Sequence, residues 1–389
     1  MMLEDQSFFY RDTWAEVDLD CIKKNISSIK SFLPDKVEIM AVVKANAYGH
    51  GDVETASAAL EAGATILAVA FMDEAIALRK KGITAPVLVL GASRADDVNI
   101  AADHQIILTV FDREWVKKAR TVLHPDKSLA LHIKIDTGMG RIGVRTADEL
   151  KLIKRLIKDD PRFDFQGVFT HFATADELDD SYFKKQLEFF NEMIASFDVL
   201  PRYIHSSNSA AALRFSEAQF NTVRIGIAMY GLTPSPEIEP VLPIELNEAF
   251  SLHSRLVHVK KLQKGDKVSY GATYEASGDE WVGTLPIGYA DGWIRKLQGQ
   301  EVLIEGIRCP IIGRICMDQC MVRLPFEVPV GTAATLIGKQ GIETISVNEI
   351  ASWLNTINYE IPCLISSRVP RIYKERGEVV DLNNSLLKV

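Results

Sequence analysis

The stretch I-M-A-V-V-K-A-N-A-Y-G-H-G, residues 39–51, joins an apolar run to a small, polar, glycine-bearing segment through one lysine. A short, continuous apolar run of this kind is typical of a strand that is buried on both faces of a parallel sheet. A charged ammonium at the end of a buried strand is costly unless it is paired or neutral, because it loses its hydration. Lys44 therefore needs a chemical explanation.

Further apolar runs follow at regular intervals, with amphipathic helical segments between most of them. The helical segments include residues 72–82, a segment with a capping-box start at Thr146, and residues 181–195. Eight near-continuous strands that alternate with helices predict a (β/α)8 TIM-type barrel. A doubly wound open sheet has a similar pattern, and the periodicity favours the barrel. The other runs are 65–70, 86–91, 105–110, 130–136, 165–172, 202–208 and 222–231.

After residue 245 the pattern changes to that of a mostly β domain. Residues 255–262 alternate, residues 301–313 resemble a hairpin that turns at Glu305 and Gly306, and residues 330–338 form another strand candidate. One helix is predicted after Ser346, where Glu349 completes a capping box. We predict a barrel over residues 16–245 and a mostly β domain over 246–389, to which residues 1–15 contribute a strand. The segment 13–19 is the candidate for that strand.

The composition excludes several classes of protein. The chain has 389 residues, 47% of them hydrophobic and 25% charged, which is ordinary for a soluble globular protein. Its net charge of -8 argues against nucleic acid or an anionic membrane as a partner. No apolar run is long enough to cross a bilayer, and the first twelve residues lack the apolar core of a secretory signal.

The five cysteines are scattered, which fits a reducing compartment and a cytoplasmic location. Cys316 and Cys320 have no second cysteine pair or histidine cluster to complete a metal site, so no metal is predicted.

Polar residues end several of the apolar runs. In a (β/α) barrel the chemistry lies at the C-terminal ends of the strands, so these side chains mark a candidate site. A lysine that burial neutralises becomes a nucleophile that can add to an aldehyde, which is one function open to Lys44. The residues at or near these ends are Lys44, Lys134, Asp136, His171, His205, Asn208, Ser209, Arg224 and Gly226.

The segment A-V-V-K-A-N-A-Y-G-H-G resembles the cofactor-lysine motif of the alanine racemases, which are fold type III enzymes that use pyridoxal phosphate. Further stretches resemble the same family, in the same order, over essentially the whole chain. This resemblance implies an isomerase with pyridoxal 5′-phosphate as its cofactor. The stretches are D-T-G-M-G-R-I-G (136–143), T-H-F-A-T-A-D (170–176), H-S-S-N-S-A-A (205–211), V-R-I-G-I-A-M-Y-G (223–231), V-S-Y-G-A-T-Y (268–274), P-I-G-Y-A-D-G-W (286–293), G-R-I-C-M-D-Q (313–319) and R-V-P-R-I-Y (368–373).

The resemblance also implies which residues bind the cofactor. Lys44 would attach it covalently, and Arg224 would contact its pyridine nitrogen. Because a guanidinium only donates hydrogen bonds, that nitrogen would stay unprotonated, which makes the cofactor a weaker electron sink and disfavours transamination. The cofactor-binding set by resemblance is Lys44, Tyr48, His171, Asn208, Ser209, Arg224, Gly226, Ile227 and Tyr359.

Racemisation removes a proton from one face of the α-carbon and returns one to the other, so two bases are the simple solution. By resemblance, Lys44 serves one face and Tyr270 the other. A free tyrosine side chain ionises at about pH 10, so a tyrosine base needs cationic neighbours. His171 and, through it, Arg224 are the candidates. The family's two-fold dimer would bring Lys44 of one subunit to the β domain of the other, giving a homodimer with shared active sites.

Other matched positions concern the substrate. Arg141 resembles the residue that contacts the substrate carboxylate, and Met317 matches a position whose backbone N–H does the same. Lys134 matches a lysine that is carbamylated in several relatives. Asp318, Tyr289 and Arg314 match the lining of the substrate access path. Met317 and Tyr359 are expected to crowd the substrate side chain and leave room for a methyl group.

Several functions stay open at this point. The first is an alanine racemase that supplies D-alanine for peptidoglycan of the cell wall. The second is a racemase with broader or different substrate choice, such as serine. The third is a non-catalytic protein that binds pyridoxal phosphate, which the β domain with Tyr270 disfavours. A fold type III decarboxylase is a further alternative, and its motifs differ from those around Tyr270 and Met317.

Overall fold

The computed structural model describes residues 9–387. The chain divides into two compact units. The barrel unit comprises Cys21–Ala47 and Asp52–Asn247, and the β unit comprises the described parts of Met1–Asp20, Tyr48–Gly51 and Glu248–Val389. The domain prediction differs from this division at residues 16–20, 48–51 and 246–247 and stays a prediction. Residues 1–8, which hold most of the segment interpreted as lacking a secretory signal and part of the predicted strand contribution, lie outside the described residues.

The strands and helices are numbered in chain order. The strands are β1 (Thr13–Asp18), β2 (Glu38–Val42), β3 (Ile66–Val69), β4 (Val87–Val89), β5 (Ile106–Val110), β6 (Leu129–Lys134), β7 (Phe163–Phe169), β8 (Tyr203–His205), β9 (Thr222–Ile225), β10 (Phe250–Arg255), β11 (His258–Leu262), β12 (Lys267–Val268), β13 (Tyr274–Glu275), β14 (Glu280–Leu285), β15 (Glu301–Ile304), β16 (Ile307–Ile312), β17 (Cys320–Leu324), β18 (Ala333–Gln340), β19 (Glu343–Ile345), β20 (Arg371–Glu375) and β21 (Glu378–Asn383). The helices are α1 (Leu19–Phe32), α2 (Lys44–Tyr48), α3 (Asp52–Glu61), α4 (Met72–Lys80), α5 (Val98–Asp103), α6 (Arg113–Val122), α7 (Ala147–Lys158), α8 (Ser181–Ile194), α9 (Ser209–Arg214), α10 (Val347–Leu354) and α11 (Glu360–Leu364). Among the described residues, no helix is both long enough and apolar enough to cross a membrane.

Strands β2 to β9 form one parallel sheet in the order β8-β7-β6-β5-β4-β3-β2-β9. The backbone N–H of Arg224 in β9 donates to the carbonyl of Ser207 just after β8, at 3.1 Å, so the two ends of this order meet. The sheet is therefore a nearly closed barrel of eight parallel strands, as predicted, and not an open doubly wound sheet. Strands β3, β4 and β5 are buried at every residue, which is why their sequences read as unbroken apolar runs.

Helix α7 shows how the helices around the barrel are specified. The hydroxyl of Thr146 accepts a hydrogen bond from the backbone N–H of Glu149 at 3.3 Å, so the helix begins where the sequence predicts. The buried residues Leu150, Ile153 and Ile157 are spaced three and four apart, which places them on one face.

The β unit contains an eleven-stranded sheet, in which β1 pairs with β10 antiparallel and with β20 parallel. The predicted hairpin is present as β15 and β16, with Ile304 opposite Ile307. Its two turn residues, Glu305 and Gly306, have φ values of 52° and 73°, as a type I′ turn requires. The alternating segment 255–262 is interrupted, because the N–H of Leu256 donates to Thr332 and so breaks the strand before β11.

The N-cap of α10 is also as predicted, but its capping box is only half formed. The hydroxyl of Ser346 accepts from the N–H of Glu349 at 3.0 Å. The carboxylate of Glu349 does not turn back to Ser346, because it accepts from the Arg308 guanidinium at 2.8 and 3.1 Å and from Gln300 at 3.0 Å. An ion pair thus replaces the second bond of the box.

Candidate active site

Lys44 opens a single turn of left-handed helix. Residues Ala45, Asn46, Ala47 and Tyr48 have φ values of 53°, 53°, 51° and 54°. Each such residue costs about 1–2 kcal/mol relative to the right-handed helix, because its Cβ approaches the following carbonyl oxygen. The N–H of Ala47 donates to the carbonyl of Val43 at 3.0 Å and closes the turn. Strained backbone of this kind concentrates at functional sites.

Glu74, in the first turn of α4, holds this left-handed turn to its neighbours. One carboxylate oxygen accepts from the N–H of Ala45 at 2.7 Å, and the other accepts from the N–H of Ala70 at 2.7 Å. The side chain of Asn46 accepts from the N–H of Asp52 at 3.2 Å, at the start of α3. The segment after Lys44 is therefore tied to two helix starts.

Lys134 ends β6 and is only 3% exposed. Burial is the largest cause that lowers its pKa, to about 7, and the charges of Arg141, Arg224 and Lys44 act in the same direction. Asp136 acts in the opposite direction but does not compensate. The amine of Lys134 is thus partly neutral near pH 7, although a free lysine is almost fully charged there.

The carboxylate of Asp136 forms hydrogen bonds with the backbone of the loop that follows. It accepts from the N–H groups of Gly138 at 3.1 Å and Gly140 at 2.9 Å. Arg141 lies at the end of this turn, is exposed, and makes no hydrogen bond or salt bridge to any other residue in the range 9–387. The loop therefore fixes the backbone near Arg141 and leaves its guanidinium available.

Arg224, on β9, is 3% exposed and connects several strand ends. Burial, followed by the charge of Arg141, lowers its pKa to about 9, so it stays charged at neutral pH. Its Nη1 donates to Nδ1 of His205 at 3.0 Å and to the His205 carbonyl at 2.7 Å. Its Nη2 contacts the carbonyls of Thr170 at 2.8 Å and Ser206 at 2.9 Å and Nδ1 of His171 at 3.2 Å. Within the described part of the chain, no acceptor contacts its Nε–H.

His171 follows β7 and is half-buried. Burial lowers the pKa of its imidazole well below the ordinary value, and the charge of Arg224 adds to this effect. The side-chain amide of Gln186 donates to the His171 carbonyl at 3.2 Å and so fixes the backbone there. The neutral ring accepts from Arg224 at Nδ1, which leaves its single hydrogen on Nε2.

Ser209 and Gly226 meet at the ends of β8 and β9. Asn208 caps α9, where its side chain accepts from the N–H of Ala211 at 3.0 Å. The hydroxyl oxygen of Ser209 accepts from the N–H of Gly226 at 3.0 Å, directly before Ile227 begins a short 3₁₀ helix. Hydroxyl and backbone donors gathered at such a turn suit an anionic oxygen.

Within the β unit, Tyr48 lies near Tyr359, with ring centroids 6.2 Å apart. Both side chains are half-buried. Burial raises the pKa of Tyr48 far above its usual range, with a smaller effect from the Cys363 thiol. Gly49 has φ +86°, and a Cβ there would lie 2.1 Å from the carbonyl oxygen of Pro362, so only glycine fits beside Tyr48.

Tyr270 is 70% exposed and lies on an unusual turn of the β unit. The preceding residue, Ser269, has φ 68° and ψ 179°, a conformation that is otherwise almost restricted to glycine. Its hydroxyl donates to the carbonyl of Arg314. A Cβ at Gly313 would lie 2.9 Å from the Cβ of Ser269, so the two segments pack closely. The backbone at Tyr270 is thus held firmly while its ring is presented to the surface.

Met317, Asp318 and Tyr289 form a second group in the β unit. The N–H of Tyr289 donates to the carbonyl of Cys316 at 3.0 Å, which joins the two segments. Arg368 donates to the carboxylate of Asp318 at 2.8 Å. Met317 is 53% exposed, and its backbone N–H has no acceptor among residues 9–387. This N–H is therefore free to bind an anionic oxygen.

The site residues thus lie partly in the barrel unit and partly in the β unit, and two models of one family match the chain. The model of the alanine racemase N-terminal domain matches residues 17–234, and that of the C-terminal domain matches residues 249–373. The chain belongs to the alanine racemase family. The family predicted from the motifs is therefore confirmed, and so is the predicted enzyme class, an isomerase.

Individual relatives agree with this assignment. Alanine racemase of Geobacillus kaustophilus is 59% identical over 97% of this chain and 98% of its own length. A crystal structure of alanine racemase from Bacillus anthracis with bound L-Ala-P has a TM-score of 0.95 at 54% identity and covers 98% of this chain and 100% of its own. Histidine racemase from Leuconostoc mesenteroides has a TM-score of 0.89 at 33% identity, covering 94% of this chain and 99% of its own.

The sequence did not predict Glu74, Gln186 and His132 as parts of the site, although each contacts a residue of the racemase-family motifs. Glu74 and Gln186 lie inside helices, and only the folded chain brings them to the strand ends. His205 is among the residues predicted at the strand ends, but the sequence predicts no role for it. His132 precedes Lys134 by two residues in the same strand, so the two side chains share a face of β6. That alternation was the signal that could have identified His132.

Proposed function

We propose that this racemase-family enzyme interconverts L-alanine and D-alanine with pyridoxal 5′-phosphate as its cofactor. The observation that carries the proposal is the charge at the C-terminal end of the barrel. Arg141, Arg224 and Lys44 all act on Lys134, while Asp136 is the sole opposing charge among the main influences on that lysine. Such a surplus of positive charge suits an anionic cofactor and a substrate carboxylate.

The residues present fit this cofactor. The Nε–H of buried Arg224, which no described residue accepts, fits an aromatic ring nitrogen that accepts a hydrogen bond. Ser209, Asn208 and the Gly226–Ile227 turn, with Tyr48 and Tyr359, would hold the phosphate, and Lys44 would hold the cofactor covalently. When bound, pyridoxal phosphate acidifies the hydrogen on the α-carbon of an amino acid by withdrawing electrons. Because Arg224 only donates, it would moderate that withdrawal.

Two bases then move the proton. The amine of Lys44 would take the α-hydrogen of D-alanine from one face, and the phenolate oxygen of Tyr270 would take that of L-alanine from the other. The 70% exposure of Tyr270 on a firmly held turn supports its use by a second copy of the chain. We therefore propose a homodimer in which each active site combines Lys44 of one subunit with Tyr270 of the partner subunit.

His171 would donate a hydrogen bond to Tyr270. Arg224 donates to Nδ1 of His171, so the neutral imidazole carries its hydrogen on Nε2 and can donate it to a phenolate. Burial and the charge of Arg224 lower the pKa of His171, which favours this neutral ring. A hydrogen bond to the charged form of Tyr270 would favour ionisation of that phenol.

Lys134 and Arg141 would hold the substrate carboxylate in place. With a pKa of about 7, Lys134 has the neutral amine that adds to carbon dioxide, forming an N–C bond and releasing one proton. The resulting carbamate would pair with Arg141 and orient it toward the substrate. The free N–H of Met317 would provide a second contact to the same carboxylate.

Substrate choice would follow from the space left beside these contacts. Met317 and Tyr359 would crowd the side chain so that a methyl group fits, while Asp318, Tyr289 and Arg314 would line the access path. Histidine racemase, at 33% identity, is named for a different amino acid, so the family fold alone does not decide the substrate. The D-alanine formed would serve peptidoglycan synthesis in the cytoplasm.

Circular dichroism of the amino acid tests this function directly. Protein purified with pyridoxal phosphate should abolish the optical signal of L-alanine, and leucine should react far more slowly because a tight pocket excludes its longer side chain. Lys44→Ala should be inactive in the same assay. Racemisation of serine without alanine would support the alternative specificity, and activity on no amino acid would support a non-catalytic binding protein.

Chemical labelling tests the cofactor lysine. Borohydride should fix the cofactor to the protein irreversibly, and a peptide map should place the label on Lys44. A label on Lys134 would instead exchange the roles of the two lysines.

A further inference from the structure

A series of hydrogen bonds, the histidine relay, extends from Arg224 into the barrel through His205 and His132. Nδ1 of His205 lies 3.0 Å from Nη1 of Arg224, and Nε2 of His205 lies 2.9 Å from Nδ1 of His132. Both rings are completely buried. The Phe169 ring stacks on His205 with centroids 4.7 Å apart, which holds that imidazole in plane.

The donor at the start of the histidine relay decides where every hydrogen lies. A guanidinium can only donate, so Nδ1 of His205 must accept. A neutral imidazole then carries its hydrogen on Nε2, and this hydrogen is donated to Nδ1 of His132. The same logic places the hydrogen of His132 on its own Nε2. Both rings are neutral, because burial lowers the pKa of His132 to about 3 and burial beside Arg224 lowers that of His205 well below its ordinary value.

The histidine relay ends at the Nε2–H of His132, for which no described residue is an acceptor. Nε2 of His132 is buried and has no hydrogen-bond partner within residues 9–387. Leaving such a group unpaired in the interior destabilises the folded protein, whereas an apolar side chain would avoid that cost. The end of the relay is thus energetically unfavourable, which argues for a function that an apolar residue could not provide.

The neighbouring strand makes room for this histidine. Gly167 of β7 lies directly opposite His132 in the sheet. A Cβ at Gly167 would lie 2.6 Å from Cε1 and 2.7 Å from Nδ1 of the His132 ring, so no other residue fits there without moving the imidazole. The glycine and the histidine therefore form a matched pair.

We propose that His132 and His205 are positioning residues for Arg224. His205 occupies Nη1 of the guanidinium, and His132 keeps the His205 ring in the orientation that accepts. The Nε–H of Arg224, which no described residue accepts, is then the donor left for the cofactor ring nitrogen. This inference rests on the proposed function in its last step alone, since the tautomers of the two rings follow from the protein by itself.

Nitrogen NMR of protein labelled with ¹⁵N-histidine tests the tautomers without any activity. The chain has 8 histidines, so the spectrum is sparse, and the signals are assigned by their loss in His132→Asn and His205→Asn. We expect both rings to be neutral Nε2–H tautomers with shifts that do not change between about pH 6 and pH 9. An Nδ1–H tautomer or an imidazolium at either ring would overturn the relay.

Two substitutions test the effect of the histidine relay on Arg224. His132→Phe keeps a ring but removes the acceptor for His205, and we expect kcat to fall about tenfold, KM to change little and the visible absorption of the bound cofactor to shift. His132→Asn restores an acceptor near the Nδ1 position and should return kcat to within about threefold of wild type with the original spectrum. An unchanged spectrum and kcat in a folded His132→Phe protein would refute the positioning role.

The outcomes separate this proposal from the proposed function. If the wild-type protein has the expected tautomers but racemises no amino acid, the proposed function fails and the relay stands. If His132→Phe does not fold, the tautomers of the wild-type protein still decide whether the relay exists.

Discussion

Lys134 is a residue whose protonation the fold controls. Its pKa is lowered to about 7 by burial and by neighbouring cations, so its neutral fraction rises as the pH increases through that value. At a fixed concentration of dissolved ¹³CO₂, a carbamate carbon signal should therefore increase between about pH 6 and pH 8. Lys134→Ala should lack the signal, and a signal that weakens with rising pH would contradict the assignment.

Tyr270 offers a test of the second base. Tyr270→Phe removes one oxygen from an exposed side chain, so folding and attachment of the cofactor to Lys44 should be unchanged. Exchange of the α-hydrogen of L-alanine for deuterium should fall by several orders of magnitude, because Tyr270 is the proposed base for that face. Mass spectrometry of recovered alanine measures this exchange for each enantiomer.

Tyr274 provides the matched control for that substitution. Its hydroxyl donates to the carboxylate of Glu280 at 2.8 Å, and it lies on the neighbouring strand β13. Tyr274→Phe also removes a single oxygen but leaves the proposed base intact, so exchange should stay close to wild type. Equal losses in the two variants would show that the effect of Tyr270 is structural.

At the scale of an element, the loop from Asp136 to Val144 positions Arg141. Gly143 has φ +143°, and a Cβ there would lie 2.4 Å from the backbone nitrogen of Asp136. Gly143→Ala should break the bond from the Asp136 N–H to the Val144 carbonyl, now 2.9 Å, and displace Arg141. We expect KM for alanine to rise about tenfold.

Gly140 lies in the same loop and separates two effects of replacing a glycine by alanine. One is steric contact of the added Cβ with neighbouring atoms, and the other is strain of a backbone with positive φ. It has φ +70°, but no atom lies within 4 Å of a Cβ built there. Gly140→Ala should lower stability by about 1 kcal/mol with little change in KM. Thermal unfolding and steady-state kinetics of both variants check this, and an equal rise in KM would remove the proposed role of the Gly143 contact.

The sequence predicted those strands and helices that are specified by neighbouring residues in the chain. The eight apolar runs became the barrel strands because most residues of those strands are buried. Thr146 and Ser346 became N-caps because a hydroxyl is the ordinary acceptor there. The left-handed turn after Lys44 could not be predicted in this way, since alanine normally avoids that conformation. Glu74 stabilises it through a hydrogen bond with Ala45 that spans 29 residues of sequence.

The same distinction applies to the site. Lys44, Lys134 and Arg224 could be recognised because each is a charged residue on or next to a buried strand. The relay through His132 was not predicted, because its partner His205 is 73 residues away and the direction of each hydrogen bond depends on Arg224. Sequence thus located the charged groups, and the structure supplied the order of donors and acceptors.

At the scale of the whole molecule, shared active sites can be tested by mixing two inactive proteins. Lys44→Ala lacks one base and the covalent attachment, and Tyr270→Phe lacks the other base. In a heterodimer one site has both defects, and the other combines an intact Lys44 with the partner's Tyr270. Random exchange should make about half of the dimers mixed, so about a quarter of wild-type activity should return.

Subunit exchange itself must be measured in parallel, for example by energy transfer between two labelled populations. Activity that stays absent although exchange is complete would show that both bases come from one chain. That result would reject the shared site and leave the assignment of the two residues to catalysis unchanged.

The left-handed turn after Lys44 has a consequence for the chirality of the polypeptide itself. A left-handed helical turn is the sterically favoured conformation of a D-amino acid, as the right-handed turn is for an L-amino acid. Ala45 is exposed and adopts φ 53° within this turn. A chain assembled by peptide ligation with D-alanine at position 45 should therefore be more stable by about 1–2 kcal/mol. The proposed product of the enzyme would fit its own backbone better than the alanine that the ribosome places there.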